Sequence, residues 1–139
     1  MKYRPLDITS DVMFEVYGKT LEELFENSAL AMFSVICNIE RIKPLEIIDI
    51  KTSAKSYEML LYNWLSELLT QSEIQEKFFS EFKVETISKQ MEEIKLYGIA
   101  KGGNMSVEKG RTLVKGITFY KTGIEKTKSG YKTKITLDI

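Results

Sequence analysis

Between Asp11 and Cys37 the spacing of apolar residues changes once, and the change separates two elements. Val12, Phe14 and Val16 alternate with Asp11, Met13 and Glu15, the period of two that marks a strand with one buried face. Gly18 and Lys19 make a turn. Beyond it Leu21, Leu24, Phe25, Ala29, Met32, Phe33 and Ile36 recur at steps of three and four, which is one apolar face of a helix. Thr20 suits the N-cap, and Glu23 three residues on completes the spacing of a capping box. The pattern predicts a strand from Met13 to Tyr17 and a helix from Leu21 to Cys37.

The same reading carries through the chain. Tyr3 to Leu6 fits a short edge strand, the place where Pro5 is tolerated. Leu45 to Thr52 is β-branched and follows Pro44, so a strand is expected, with Ile48 and Ile50 on one face. Ser53 or Ser56 caps a second helix from Tyr57 to Thr70, whose face is Leu60, Leu61, Trp64, Leu65, Leu68 and Leu69. Residues 72–79 read as a connection or a short helical turn. Phe82 to Ile87 and Glu92 to Ala100 read as strands around a turn at Ser88 to Gln90. Lys101-Gly102-Gly103-Asn104 reads as a loop from its composition. Thr112 to Thr122 and Tyr131 to Ile139 read as a closing hairpin. In its last strand Tyr131, Thr133, Ile135, Leu137 and Ile139 face one way, and Lys132, Lys134, Thr136 and Asp138 the other. The expected fold is α+β, a mixed sheet packed on two amphipathic helices in one domain spanning residues 1–139.

Composition narrows the chemistry. The 139 residues contain no histidine and one cysteine. Histidine-based triads and histidine-ligated metals are therefore excluded, and any metal must be held by oxygen, which favours calcium or magnesium. Cys37 sits at the apolar end of the first helix, where a buried structural thiol is expected. Twenty basic residues balance twenty acids, but residues 101–139 carry nine Lys or Arg against three acids. Lysines on the solvent side of strands account for this excess, and no arginine-rich run points to direct RNA binding. No apolar run approaches the roughly 18 residues of a membrane span. The first residues lack a signal-peptide core, and a cytoplasmic location is expected.

Asp11 and Asp138 both leave the apolar face of a strand. With the C-terminal carboxylate of Ile139 they would form part of a hard-cation site, completed by water or a partner. Asp7 stands four residues before Asp11. Nothing resembles a nucleophile elbow or a nucleotide loop, so enzymatic activity is not expected.

The run Asp7-Ile8-Thr9-Ser10-Asp11, followed by YGKTLEELFENSALAMF, closely resembles the opening of the archease family, D-H-T-A-D and then G-x-x-L-E-E-L-F-x-x-A-A-x-A-M. The segment YEMLLYNWLSELL resembles the family's second helix, and the terminal TLDI its hydrophobic-Asp-hydrophobic tail. The resemblance implies that Asp11, Asp138 and Ile139 bind a divalent cation, calcium foremost and Mg2+ or Mn2+ as alternatives, with Asp7 in support. It implies an accessory protein that activates an RtcB-type RNA ligase in tRNA splicing, promoting its guanylylation and repeated turnover. RNA would be met only indirectly. Two alternatives stand beside it, a chaperone-like modulator of tRNA-modifying enzymes and a small metal-dependent hydrolase. The chain departs from the family where Ile8 and Tyr120 replace its usual histidines. An oxygen-only site survives both replacements. The same logic predicts that the Asp11 and Asp138 carboxylates lie about 4–6 Å apart, within reach of one cation.

Overall fold

A computed structural model describes residues 1–6, 11–118 and 123–139. In chain order it contains β1 (Tyr3–Leu6), β2 (Val12–Gly18), α1 (Leu21–Ile36), a 3-10 turn (Ile39–Arg41), β3 (Glu46–Ala54), α2 (Tyr57–Gln75), β4 (Lys77–Gln90), β5 (Glu93–Asn104), β6 (Gly116–Thr118), β7 (Glu125–Thr127) and β8 (Gly130–Asp138). This is an α+β fold with two helices. The strand pairings among the described residues are antiparallel and fall in two sheets, where one mixed sheet was expected. One sheet runs β1-β2-β8-β6, with β7 also on β8; the other runs β3-β5-β4.

Both helices start where the capping residues place them. Thr20 accepts a hydrogen bond from the Glu23 amide at 3.1 Å. The return bond of the box goes to the neighbouring amide: Lys19 N donates to Glu23 Oε1 at 3.2 Å. Ser56, the second of the two candidates, caps α2 by accepting from the Met59 amide.

The core joins α1, α2 and both sheets. Phe25, Met32, Leu61, Trp64, Leu65 and Leu68 are all buried, as their spacing predicts. Trp64 also donates its indole N–H to the Phe25 carbonyl at 3.0 Å, so its one polar atom is satisfied inside the core. Asn27 of α1 donates to the Tyr17 carbonyl at 2.7 Å and ties the helix to β2. Cys37 is fully buried, and burial pushes its thiol up to about 11, so it is an inert core residue at neutral pH.

Several boundaries differ from expectation, each for a local reason. Helix α2 runs five residues beyond Thr70. Side-chain bonds from Gln71 to Glu67 (3.0 Å) and Gln75 to Gln71 (3.5 Å) extend it, and left-handed Glu76 (φ 55°) ends it. The β4–β5 hairpin then starts at Lys77 and turns at Met91 and Glu92, later than the expected turn at Ser88 to Gln90.

The expected loop at residues 101–104 is the end of β5. Strand β4 shifts register between Phe79 and Glu81, and its backbone closes on β5 there. A Cβ on Gly102 would lie 1.9 Å from the Phe78 carbonyl oxygen. The glycine serves backbone contact within a strand, not a loop.

The strand expected from Thr112 is reduced to Gly116–Thr118, and residues 119–122 lie outside the described residues. The preceding segment uses its backbone elsewhere. Arg111 N donates to Ile36 O at 2.8 Å and Thr112 N to Val35 O at 3.1 Å, which satisfies carbonyls left open at the end of α1.

Candidate functional site

Strand β8 is the centre of the five-stranded sheet, with β2 on one side and β6 and β7 on the other. Its inner face, Ile135 and Leu137, meets Phe14 and Val12 in register and is buried. The outer face carries the polar residues. From the far end inward, Tyr17 pairs with Lys132, Glu15 with Lys134, and Met13 with Thr136.

The last paired rung at the near end is Val12 with Leu137. Asp11 and Asp138 each lie one residue beyond it. The register therefore places these two positions, remote in sequence, at the same end of neighbouring strands. Asp138 is exposed and Asp11 half-buried. On its other side Asp138 pairs with Gly116 of β6, and Lys115 N donates to the Asp138 carbonyl at 2.7 Å. The Asp138 backbone is thus held on its β6 side. A Cβ on Gly116 would meet nothing within 4 Å, so there is open space beside Asp138. Ile139 follows directly and is 38% exposed.

Asp7, Ile8 and Tyr120 lie outside the described residues. Among the described residues no group of three or more His, Cys, Asp or Glu side chains is placed to share a metal ion. The side-chain donors at this end, Asp11 and Asp138, offer oxygen, which suits a hard cation that keeps several waters.

Two features of the outer face were not legible in the sequence. Two rungs from the tip, Arg4 Nε donates to the Tyr17 hydroxyl at 3.0 Å and Arg4 Nη2 lies 3.3 Å from Glu15. Tyr17 donates to Glu15 in turn. The Tyr17 hydroxyl, then Arg4, hold the Glu15 carboxyl below its ordinary range, and the Tyr17 hydroxyl, then Glu15, raise Arg4. Only the β1–β2 register, which sets Arg4 opposite Glu15, brings this cluster together. The second feature is Thr136, assigned to a polar face by alternation yet only 2% exposed.

Elsewhere, Glu26 of α1 is half-buried and accepts from the Val84 amide at 2.8 Å, where β4 shifts register a second time. Burial raises its carboxyl above the usual range. No described helix is long and apolar enough to cross a membrane.

These features define a small α+β protein whose first long strand and last strand meet at an end carrying two aspartates. Residues 3–139 match the model of the Archease protein family. The chain is 37% identical over 140 residues to the protein archease of Methanosarcina mazei, covering 99% of this chain and 96% of that one. It is 37% identical over 139 residues to the protein archease of Archaeoglobus fulgidus, covering the whole of both. The solution structure of Methanobacterium thermoautotrophicum protein 1598 superposes with a TM-score of 0.84 at 31% identity, over 99% of this chain and 98% of that one. The crystal structure of an archease from Thermotoga maritima matches with a TM-score of 0.60 at 18% identity, over 98% and 96%, and so supports the fold alone. The chain belongs to the Archease family.

Proposed function

We propose that this protein is a non-enzymatic accessory factor that activates an RtcB-type RNA ligase through a cation held at the Asp11–Asp138 end. One observation supports the reading: the β2–β8 register ends at Val12–Leu137, and each aspartate lies one residue beyond that rung, at the same end of the sheet. Family membership over residues 3–139 supports the partner assignment.

Asp11 and Asp138, with Ile139, would hold the cation, which when bound would supply positive charge toward an anionic partner. The chain's own contribution is positioning. Strand β6 holds the Asp138 backbone through the Gly116 rung, and Gly116 keeps the approach to it clear. Without a cation the two carboxylates repel, so the end is poised to accept one.

The test is multiple-turnover ligation by the ligase with and without the protein. The parent should raise turnover, while Asp11→Asn and Asp138→Asn should fold normally and give no stimulation. Incubated with RNA and GTP but no ligase, the protein should leave both unchanged. Full stimulation by Asp138→Asn would refute the reading.

A further inference from the structure

We propose that β3 is a docking edge for a second copy of this chain, the two copies pairing antiparallel across a twofold axis at Ile50. The inference is independent of the reading of Asp11 and Asp138, since β3 lies in the other sheet.

A strand at the edge of a sheet offers unpaired backbone groups to any other strand, and folded proteins usually blunt it. The other outer strands here are blunted. Strand β1 has four residues and contains Pro5, β6 and β7 have three residues each, and β4 is interrupted by two register shifts. Strand β3 has none of these devices. It is nine residues long, without proline or glycine, and keeps one register on β5 from Glu46 to Ala54. Among the described residues β5 is its one strand partner, so its other edge is open.

Alternation gives that edge two faces. Ile50 and Ala54 are buried on the face that packs on α2. Ile47, Asp49, Lys51 and Ser53 are exposed on the other. Tyr97 of β5 holds both charges on that outer face. Its hydroxyl donates to Asp49 at 2.8 Å, and the Lys51 ammonium lies 5.9 Å from the centre of its ring. At the end of the strand Asn63 of α2 donates to the Ser53 carbonyl at 2.9 Å, which leaves that oxygen a second lone pair.

Charge complementarity selects the occupant. In antiparallel pairing centred on Ile50, Asp49 of each copy faces Lys51 of the other, so the symmetry makes the opposite-charge pair twice. On the same face Ile47 meets Ser53. Moving the centre by one residue sets Asp49 against itself or Lys51 against itself, and larger shifts give up much of the strand. The two three-stranded sheets would join into one, with the helices of both copies on the same side. A single strand edge is a small interface, so the association is weak and appears at high protein concentration.

The test is sedimentation equilibrium of the full chain over a range of concentrations, with melting followed by circular dichroism alongside. The parent should pass from the mass of one chain toward that of two as concentration rises. Asp49→Lys sets lysines opposite each other, and Lys51→Asp sets aspartates opposite each other. Each should associate about tenfold or more weakly, because two attractive pairs have become repulsive. Both positions are exposed, so each variant should melt close to the parent. Mixed in equal amounts, the two variants should associate with each other within about threefold of the parental affinity, and the variant carrying both substitutions should recover self-association. A parent with the mass of one chain at every concentration overturns the proposal. So does association that neither reversal weakens, which places the interface elsewhere. A mixture and a double variant that both stay monomeric overturn it too, as does a β3 edge whose amides gain protection from hydrogen exchange only when another protein is added.

Discussion

The two sheets are put to different uses. In the three-stranded sheet, strands of 14 and 12 residues form one long hairpin, and their inner face packs on the helices. In the five-stranded sheet the partners of β8 include three-residue strands, and the sheet joins residues from the two ends of the chain. The first is built within residues 46–104, from the β4–β5 hairpin and β3 pairing with β5 across α2, and its residues are constrained by packing. The second closes the chain on itself, and at its open end residues are constrained by little except register. Polar groups with no structural task can collect there. A substitution in the first region should therefore cost stability, and one at the end of the second should cost function.

The largest stability loss should come from Trp64→Ala. It empties a fully buried site and leaves the Phe25 carbonyl without its donor. The expected cost is roughly 3–5 kcal/mol by urea unfolding followed by circular dichroism. A loss below about 1 kcal/mol, the range of surface changes, would break the contrast between the regions. Gly102→Val comes next, because its Cβ meets the Phe78 backbone, which cannot move aside as a flexible side chain would. A loss of about 1–3 kcal/mol or more is expected from overpacking.

Glu26→Gln probes the first region through pH. Burial raises the Glu26 carboxyl in the folded state, so between its unfolded and folded values the folded protein binds more protons than the unfolded one. Its contribution to stability is then present at low pH and is lost as pH rises through the carboxylate range. Glu26→Gln keeps an acceptor for the Val84 amide and should flatten that fall. Parallel stability curves for the two proteins from acid to neutral pH would rule this out.

The smallest stability effect belongs to Gly116→Leu. Open space surrounds that position, so melting should shift by no more than about 0.5 kcal/mol equivalent. The side chain would fill the space beside Asp138, and Ca2+ affinity and ligase stimulation should both fall. A variant that melts like the parent and binds like it would show that the approach from β6 is not used.

Much of this could be read along the chain. Both helices, the capping residues Thr20 and Ser56, the buried face around Trp64 and the edge placement of Pro5 follow from spacing and residue type, because each depends on neighbours within a turn or a rung. The misread stretches are those where a distant segment decided. Gly102 looks like a loop residue until β4 closes on it. Thr112 looks like the start of a strand until its amide is taken by the end of α1. At the candidate site, alternation showed that Asp11 and Asp138 leave the core, but it placed Thr136 in solvent, where the structure buries it.

The sequence by itself determined that there are two helices and where each begins, which faces are apolar and that any metal must be bound through oxygen, since these rest on local periodicity and on the absence of histidine. Tertiary structure alone decided that β2 and β8 pair so that Asp11 and Asp138 lie at the same end, that Arg4, Glu15 and Tyr17 form one cluster, and that the Thr136 hydroxyl has no partner among the described residues. Strand register is a long-range property. The pattern of one strand says which side each residue faces, but its rung is set only when the partner strand, here from the other end of the chain, pairs with it.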